Sequence, residues 1–314
     1  MKAFVLPPAG EPAVADRPVP RPRPGEVLVR STAALLCAWD GHTAAGAAGG
    51  AGGAGASRAS GASGGAGASR LLGHEAVGVV AAVGNGVADG LVGRRVAAEG
   101  HGPLAEYFRV PAVGAGLTAL PDTITDHQAL YAAGALATGF ATAEGAALPA
   151  GGTVAVFGQG AVGLSAAVAG RRLGAARVIA VEPEIKRQRL ALRFGADVVV
   201  DPAYEDSAER ILELTGGAGV DTAIVATGAA GARTAAYRGI GRGGRVAFAQ
   251  CRPAAGRGGH RLGRMLRLIG DGEVDPVGIT THEFPFARVE EAHRRLAAGE
   301  PGMIKPLVLF PAPA

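Results

Sequence analysis

The first feature of this sequence that could do chemistry is a glycine motif, GQGAVG, at residues 158–163. Gly158 permits a tight turn, Gly160 lets the backbone approach a pyrophosphate, and Gly163 lets a helix pack closely on a strand. Free backbone N–H groups at the start of that helix would face the phosphates, and the helix dipole favours their negative charge. The motif therefore predicts a dinucleotide site.

The flanking segments are those that such a site requires. The β-branched and apolar residues 153–157 predict a buried parallel strand, and the small apolar residues 164–173 predict a helix. A second strand over 177–181 ends in Glu182, at about the 20-residue offset where an acid holds the adenosine ribose hydroxyls. Because a carboxylate there repels a 2′-phosphate, the sequence predicts NAD(H) as the cofactor rather than NADP(H).

The composition excludes several classes of function. With 314 residues the chain can form two domains, and no unbroken apolar run reaches the ~18 residues of a membrane span. Prolines interrupt the N-terminal MKAFVLPPAG before a signal-peptide core can form, so we expect a cytoplasmic protein with no membrane partner. The net charge is +4, but the arginines are scattered and no aromatic platform accompanies them, so we expect no nucleic-acid partner.

Patterns along the chain predict three parts. Short strands dominate residues 1–133, which also contain a Gly/Ala-rich, low-complexity segment at 44–69 that we expect to be a surface loop. Strands and helices alternate through 134–270, and 271–314 ends in a strand. This order predicts an α/β protein, in which a β-rich domain carries an inserted, doubly wound parallel sheet.

Six short motifs, which follow one another along nearly the whole chain, resemble those of the zinc-dependent alcohol dehydrogenases of the medium-chain dehydrogenase/reductase superfamily. The segments CAWDGHT and LLGHEAVGVV are similar to its bacterial secondary-alcohol and polyol-type branch. The motifs are Cys37-x-x-Asp40, Gly73-His74-Glu75, Ala105-Glu106-Tyr107, Thr138-Gly139, the GQGAVG turn and Ile304-Lys305-Pro306.

The resemblance implies a GroES-like catalytic domain that holds zinc at a cleft beside a Rossmann domain. Cys37 and His74 would be metal ligands, Glu75 would lie beside the metal, and Asp40 would orient the site as a supporting carboxylate. The implied reaction transfers a hydride between NAD(H) and a small alcohol, ketone or aldehyde. The predicted cofactor-binding residues are Thr138, Gly158, Gly160, Val162, Gly163, Glu182, Arg187, Ala226, Thr227, Gly228 and Lys305, of which Lys305 would reach the pyrophosphate.

Two site positions depart from the family pattern. The third metal ligand of the family lies four residues before the Thr-Gly pair, and here that position is Gly134, which has no side chain. Glu75 is the nearest substitute, so the predicted metal ligands are Cys37, His74 and Glu75, with His42 and His101 as more distant candidates. Trp39 replaces a hydroxyl residue that passes the alcohol proton outward, and an indole can only donate a hydrogen bond.

The third departure is length. The stretch between Ala249 and Leu262 is too short for the family's sixth Rossmann strand, so we expect a sheet without this edge strand and, in any homo-oligomer, an altered interface. These departures keep two alternatives open. One is a zinc-independent reductase similar to quinone or enoyl reductases, and the other is an NAD(H)-binding protein without catalysis.

Overall fold

The computed structural model describes residues 1–8, 11–37, 69–99, 104–112, 117–249 and 258–312. Trp39, Asp40, His42 and His101 lie outside these ranges, as does all but the last residue of the segment 44–69. The chain divides into two units, which are Met1–Gly134 with Pro253–Ala314, and Ala135–Arg252. Within the described part, no helix is long and apolar enough to cross a membrane.

The strands are numbered in chain order: β1 (Lys2–Leu6), β2 (Ala13–Asp16), β3 (Glu26–Leu35), β4 (Arg70–Leu71), β5 (Glu75–Val83), β6 (Arg95–Glu99), β7 (Tyr107–Pro111), β8 (Leu117–Ala119), β9 (Thr153–Phe157), β10 (Arg177–Val181), β11 (Val198–Val200), β12 (Val220–Val225), β13 (Ile240–Phe248), β14 (Glu283–Pro285) and β15 (Leu307–Leu309). The helices are α1 (Asp126–Ala133), α2 (Ala135–Gly145), α3 (Ala161–Arg172), α4 (Ile185–Arg193), α5 (Ser207–Leu214), α6 (Ala232–Gly239), α7 (Gly258–Gly270) and α8 (Val289–Ala297).

The first unit is the β-rich domain that the sequence predicts. Its larger sheet has the strand order β14-β15-β3-β5-β6-β8, with β7 also paired to β3, and its smaller sheet has the order β2-β1-β4. β3 and β5 form an antiparallel ladder from Val27 opposite Val83 to Ala34 opposite Ala76. Aliphatic side chains of both strands are buried with several phenylalanines in one core, which fixes the register of this pair.

Helix α1 covers the same sheet and leads toward the candidate site. Its N-cap is Thr125, whose hydroxyl accepts a hydrogen bond from the Gln128 N–H, while the Gln128 side chain accepts one from the Thr125 N–H. Such a capping box contributes about 1 kcal/mol to helix stability. The helix packs against β5 and ends at Gly134, so the glycine is held beside the first residues of that strand.

The second unit is a doubly wound parallel sheet of the Rossmann type, as predicted. The strand order is β11-β10-β9-β12-β13, with every pair parallel. The described part of this sheet has five strands, with β11 and β13 at its edges. Phe157 of β9 lies between Val181 of β10 and Val225 of β12, so these three strands end level with one another.

The predicted division at residue 270 differs from the observed one, because α7 belongs to the first unit. Its buried side chains are Leu262, Met265, Leu266 and Ile269, which share one face of the helix. This face packs in a region where α7 contacts α1 and β8. The basic, Gly-rich sequence of 251–260 is typical of a loop, but the helix already begins at Gly258, since the apolar repeat that follows needs a full helical face.

Candidate active site

The carboxyl ends of β9, β10 and β12 bring the predicted dinucleotide residues to one edge of the second unit. The glycine turn follows Phe157, Glu182 follows Val181, and Ala226-Thr227-Gly228 follows Val225. In open parallel sheets, ligands bind at such an edge, where the strand order reverses. Here the order reverses between β9 and β12, beside the glycine turn.

Two of the three glycines cannot be replaced without a steric conflict. Gly158 has φ +86°, and a Cβ there would lie 2.6 Å from the Cβ of Thr227. A Cβ on Gly163 would overlap the carbonyl oxygen of Gly158, so the first turn of α3 lies against the loop. Gly160 is the N-cap of α3 and faces open space, which leaves its backbone accessible to a phosphate group. Val162, in the same turn of helix, is half-buried.

Glu182 is almost completely buried and is held by two backbone N–H groups. Its Oε2 accepts a hydrogen bond from the Gln159 N–H at 2.7 Å, and its Oε1 accepts one from the Glu184 N–H at 3.1 Å. The carboxylate is thereby fixed at the end of β10, with lone pairs remaining on both oxygens. Such an acceptor suits the two hydroxyls of a ribose.

Arg187 lies on the same helix start and is paired with a second carboxylate. Its Nε donates to Oε2 of Glu184 at 2.8 Å, across one turn at the start of α4. Arg187 is therefore already engaged in an ion pair. Thr138 lies in α2, where its carbonyl accepts a hydrogen bond from the Thr142 hydroxyl.

In the first unit, three chain segments carry predicted site residues to one end of the larger sheet. Cys37 lies two residues after β3, and His74 lies directly before β5, the antiparallel neighbour of β3. The Leu36 N–H donates to the Pro306 carbonyl at 3.0 Å, which fixes the chain just after Lys305 beside the end of β3. The backbone therefore gathers Cys37, His74 and Lys305 where β3 ends and β5 begins.

At this end of the sheet Glu75 and Lys305 form a buried ion pair. The Lys305 Nζ lies 2.5 Å from the Glu75 Oε2, and the side chains are 3% and 1% exposed, respectively. The other oxygen, Oε1, is buried without a hydrogen-bond donor in the described part of the chain, 3.9 Å from the His74 Nε2. A buried carboxylate oxygen without a donor is costly, and a cation bound at this atom would offset that cost.

Gly134 explains how Glu75 reaches this position. A Cβ built on Gly134 would overlap Oε1 and Cδ of Glu75 and would lie 2.8 Å from its Cγ. The Glu75 carboxylate thus fills the space that any side chain at position 134 would enter. The Glu75 carboxylate can occupy this space only because position 134 has no side chain.

The available donor types match zinc, since thiolate, imidazole and carboxylate are its usual protein ligands. The unsatisfied Oε1 beside the His74 imidazole is the observation that favours a cation at this point. Across the described ranges, however, no three His, Cys, Asp or Glu side chains are already gathered into a metal-binding group. The ligand set Cys37, His74 and Glu75 therefore remains a prediction.

A hydrogen-bonded group on the first unit was not predicted from the sequence. The Thr280 hydroxyl lies 2.6 Å from both the His127 Nε2 and the Tyr131 Oη. Burial raises the pKa of Tyr131, while the Thr280 hydrogen bond and the charge of Lys305 act in the opposite direction. Burial lowers the pKa of His127. The i, i+4 spacing of His127 and Tyr131 on α1 was the only signal, and it does not identify Thr280.

Comparisons with known proteins agree with this architecture. Residues 23–122 match the family model described as the alcohol dehydrogenase GroES-like domain, and residues 161–267 match the model described as zinc-binding dehydrogenase. An alcohol dehydrogenase of Cupriavidus necator is 29% identical, with 97% of each chain covered. A Mycobacterium tuberculosis protein named as a probable zinc-binding alcohol dehydrogenase is 32% identical over 78% of this chain and 67% of its own.

The solved structures give the same result. The alcohol dehydrogenase TADH of Thermus sp. ATN1 superposes with a TM-score of 0.81 at 25% identity, covering 99% of this chain and 100% of that protein. Both units, their order in the chain and the dinucleotide edge are thus accounted for by one family. The chain belongs to the zinc-type alcohol dehydrogenases of the medium-chain dehydrogenase/reductase superfamily, which are NAD(P)-dependent oxidoreductases.

Proposed function

We propose that this protein is an NAD-dependent oxidoreductase that interconverts a small alcohol and the corresponding ketone or aldehyde, with zinc held by Cys37, His74 and Glu75. The observation that carries the proposal is the buried Glu75 Oε1, which has no hydrogen-bond donor in the described chain and lies beside the His74 imidazole. A bound nicotinamide would supply the hydride acceptor, so that oxidation of the alcohol would release the hydroxyl proton.

The preference for NAD(H) is supported by the charges at the end of β10. Glu182 is held in place by two backbone N–H groups, so it cannot easily turn away from an approaching 2′-phosphate. Arg187, the cation that could attract such a phosphate, is paired with Glu184. The cofactor site therefore presents a fixed acceptor for ribose hydroxyls and a neutralised arginine.

We call the proposed zinc site, formed by Cys37, His74 and Glu75, the donor site. Its residues would bind the metal and orient the substrate. Zinc bound there would act as a Lewis acid on the substrate oxygen. Cys37 and His74 would contribute the thiolate and the imidazole, and Glu75 would contribute Oε1 from the space above Gly134. Because Glu75 and Lys305 are almost fully buried, water is kept from them and their charges act more strongly on a nearby polar group.

The test of cofactor choice compares the wild type with Glu182→Gln. The wild type should oxidise secondary alcohols or polyols with NAD⁺, and the variant should lose its discrimination against NADP⁺ by roughly tenfold in kcat/KM, because one repelling charge is removed. The ratio of kcat/KM for the two cofactors is measured by absorbance of the reduced nicotinamide. A wild type that prefers NADP⁺, or that binds NADH without oxidising any of the secondary alcohols and polyols offered, contradicts the proposal.

A second candidate function is a zinc-independent reductase of the same superfamily. The pairing of Lys305 with Glu75 favours it, because an ammonium already balances the carboxylate that would otherwise need a metal. Metal analysis separates the two candidates. One zinc per chain, whose removal by a chelator abolishes alcohol oxidation, excludes the zinc-independent reductase, and full activity at zero zinc excludes the zinc enzyme.

A further inference from the structure

Lys305 stands in an apolar run, Met303–Leu309, of which β15 forms the last part. It is 3% exposed, and the ion pair with Glu75 joins two residues that lie far apart in the sequence. An ammonium is buried in this way only when a partner compensates its charge. The position of the Lys305 side chain and that of the Glu75 side chain are therefore linked.

The backbone on both sides of Lys305 is fixed to the rest of the first unit. The Ile304 N–H donates to the Thr281 hydroxyl at 2.9 Å, and the Leu36 N–H donates to the Pro306 carbonyl at 3.0 Å. These bonds fix the backbone on both sides of the lysine, and burial and the ion pair with the Glu75 Oε2 locate its ammonium. The remaining oxygen, Oε1, is then directed to Gly134 and His74.

We propose that Lys305 is a positioning residue of the donor site. Its ammonium holds the Glu75 carboxylate in the space above Gly134, so that Oε1, in place of a side chain at position 134, faces His74 as the third metal donor. This inference rests on the proposed function. It assigns Lys305 to the donor site, whereas the family resemblance assigns it to the cofactor pyrophosphate.

The first experiment compares Lys305→Met and Lys305→Arg, with Lys2→Met as a matched control. Lys2 also forms a lysine–carboxylate pair, with Asp16, but at an exposed position. Zinc affinity is measured by competition with a chromophoric chelator, and NADH affinity by fluorescence titration. Lys305→Met should weaken zinc binding by roughly 10–100-fold, as is usual when a residue that supports a metal ligand is lost.

Lys305→Arg should retain most of the zinc affinity, because a guanidinium also pairs with a carboxylate. Lys2→Met should leave both affinities unchanged. The proposal is overturned if Lys305→Met keeps the wild-type zinc affinity while NADH binding weakens, since that result assigns the lysine to the pyrophosphate.

The second experiment measures thermal unfolding in the presence of a chelator for Lys305→Met, Glu75→Gln and the double variant. Each single change leaves a buried group without its partner, so each should lower the midpoint, and the double variant should be more stable than the sum of the two losses predicts. Additive losses overturn the role of Lys305. A wild type that binds no zinc overturns the metal site of the proposed function, and the two failures are thereby distinguished.

Discussion

The substitution Gly134→Ala tests the packing on which the donor site depends. A Cβ at this position would overlap two atoms of the Glu75 carboxyl group and would lie 2.8 Å from its Cγ. Contacts this short require the whole side chain to move, and Glu75 is only 1% exposed, so no open space receives it. The displaced carboxylate must separate from Lys305, which is buried as well.

The magnitude follows from this ion pair. Breaking a buried pair costs about 3–5 kcal/mol when one charge remains behind. For a folded unit of this size that loss lowers the thermal midpoint by roughly 6–20 °C. Gly145→Ala is the matched control, since Gly145 ends α2, has a negative φ, and would place its Cβ in open space. It should be stabilising by up to about 1 kcal/mol.

The assay is urea denaturation in the presence of a chelator, so that metal binding does not contribute to the free energy of unfolding. In a Glu75→Ala background, where the carboxylate is absent, Gly134→Ala should cost less than about 1 kcal/mol. The reasoning is refuted if Gly134→Ala is as harmless as Gly145→Ala in the wild-type background, or if its cost is the same in both backgrounds.

Three further predictions concern the cofactor and pH. Gly163→Ala should weaken NADH binding by about tenfold or more, because its Cβ would push α3 away from the Gly158 carbonyl; a dissociation constant equal to that of the control Gly90→Ala would contradict this. Glu184→Gln removes a charged partner of Arg187 and should lower KM for NADP⁺ while leaving KM for NAD⁺ nearly unchanged; steady-state kinetics with both cofactors tests it, and an unchanged KM for NADP⁺ would count against the role of Glu184. Burial lowers the pKa of His127 below its ordinary value of 6.5, against opposing effects of Glu283 and Asp275, so the folded state favours the neutral imidazole. The contribution of His127 to the free energy of unfolding is therefore complete above pH 6.5 and is lost as the pH falls through its lower folded pKa. His127→Gln should remove this part of the loss of stability at low pH. Stability–pH profiles that run parallel for the wild type and the variant would refute the lowered pKa of His127.

Much of the second unit was predictable, because its signals are local. The runs Thr153–Phe157 and Arg177–Val181 form strands with the bounds that their β-branched residues predict. By contrast, the sequence pattern predicts neither α6 (Ala232–Gly239) nor the first half of β13, since glycines and arginines interrupt the apolar residues there. Their place in the fold is set by neighbouring elements, as α6 packs against β12 and β13 pairs with β12.

The candidate site was predictable only in part. The sequence gives Glu75 as the substitute nearest to the vacant ligand position, and the structure adds the reason, which is that Gly134 leaves room for its carboxylate. The sequence has a helical period from Asp126 to Ala147, and this pattern does not predict that Gly134 separates α1 from α2. The ion pair with Lys305 joins distant segments, so no local pattern predicts it; a lysine within an apolar run signals only that some buried partner exists.

The most direct test is anomalous diffraction at the zinc edge from crystals of the full-length protein with zinc and NADH. We expect one strong peak per chain within ~2.0–2.3 Å of the Cys37 Sγ, the His74 Nε2 and the Glu75 Oε1, with Lys305 still paired to Oε2. A peak whose ligands exclude Glu75, or crystals with NADH bound and no zinc near Cys37 and His74, would contradict the account.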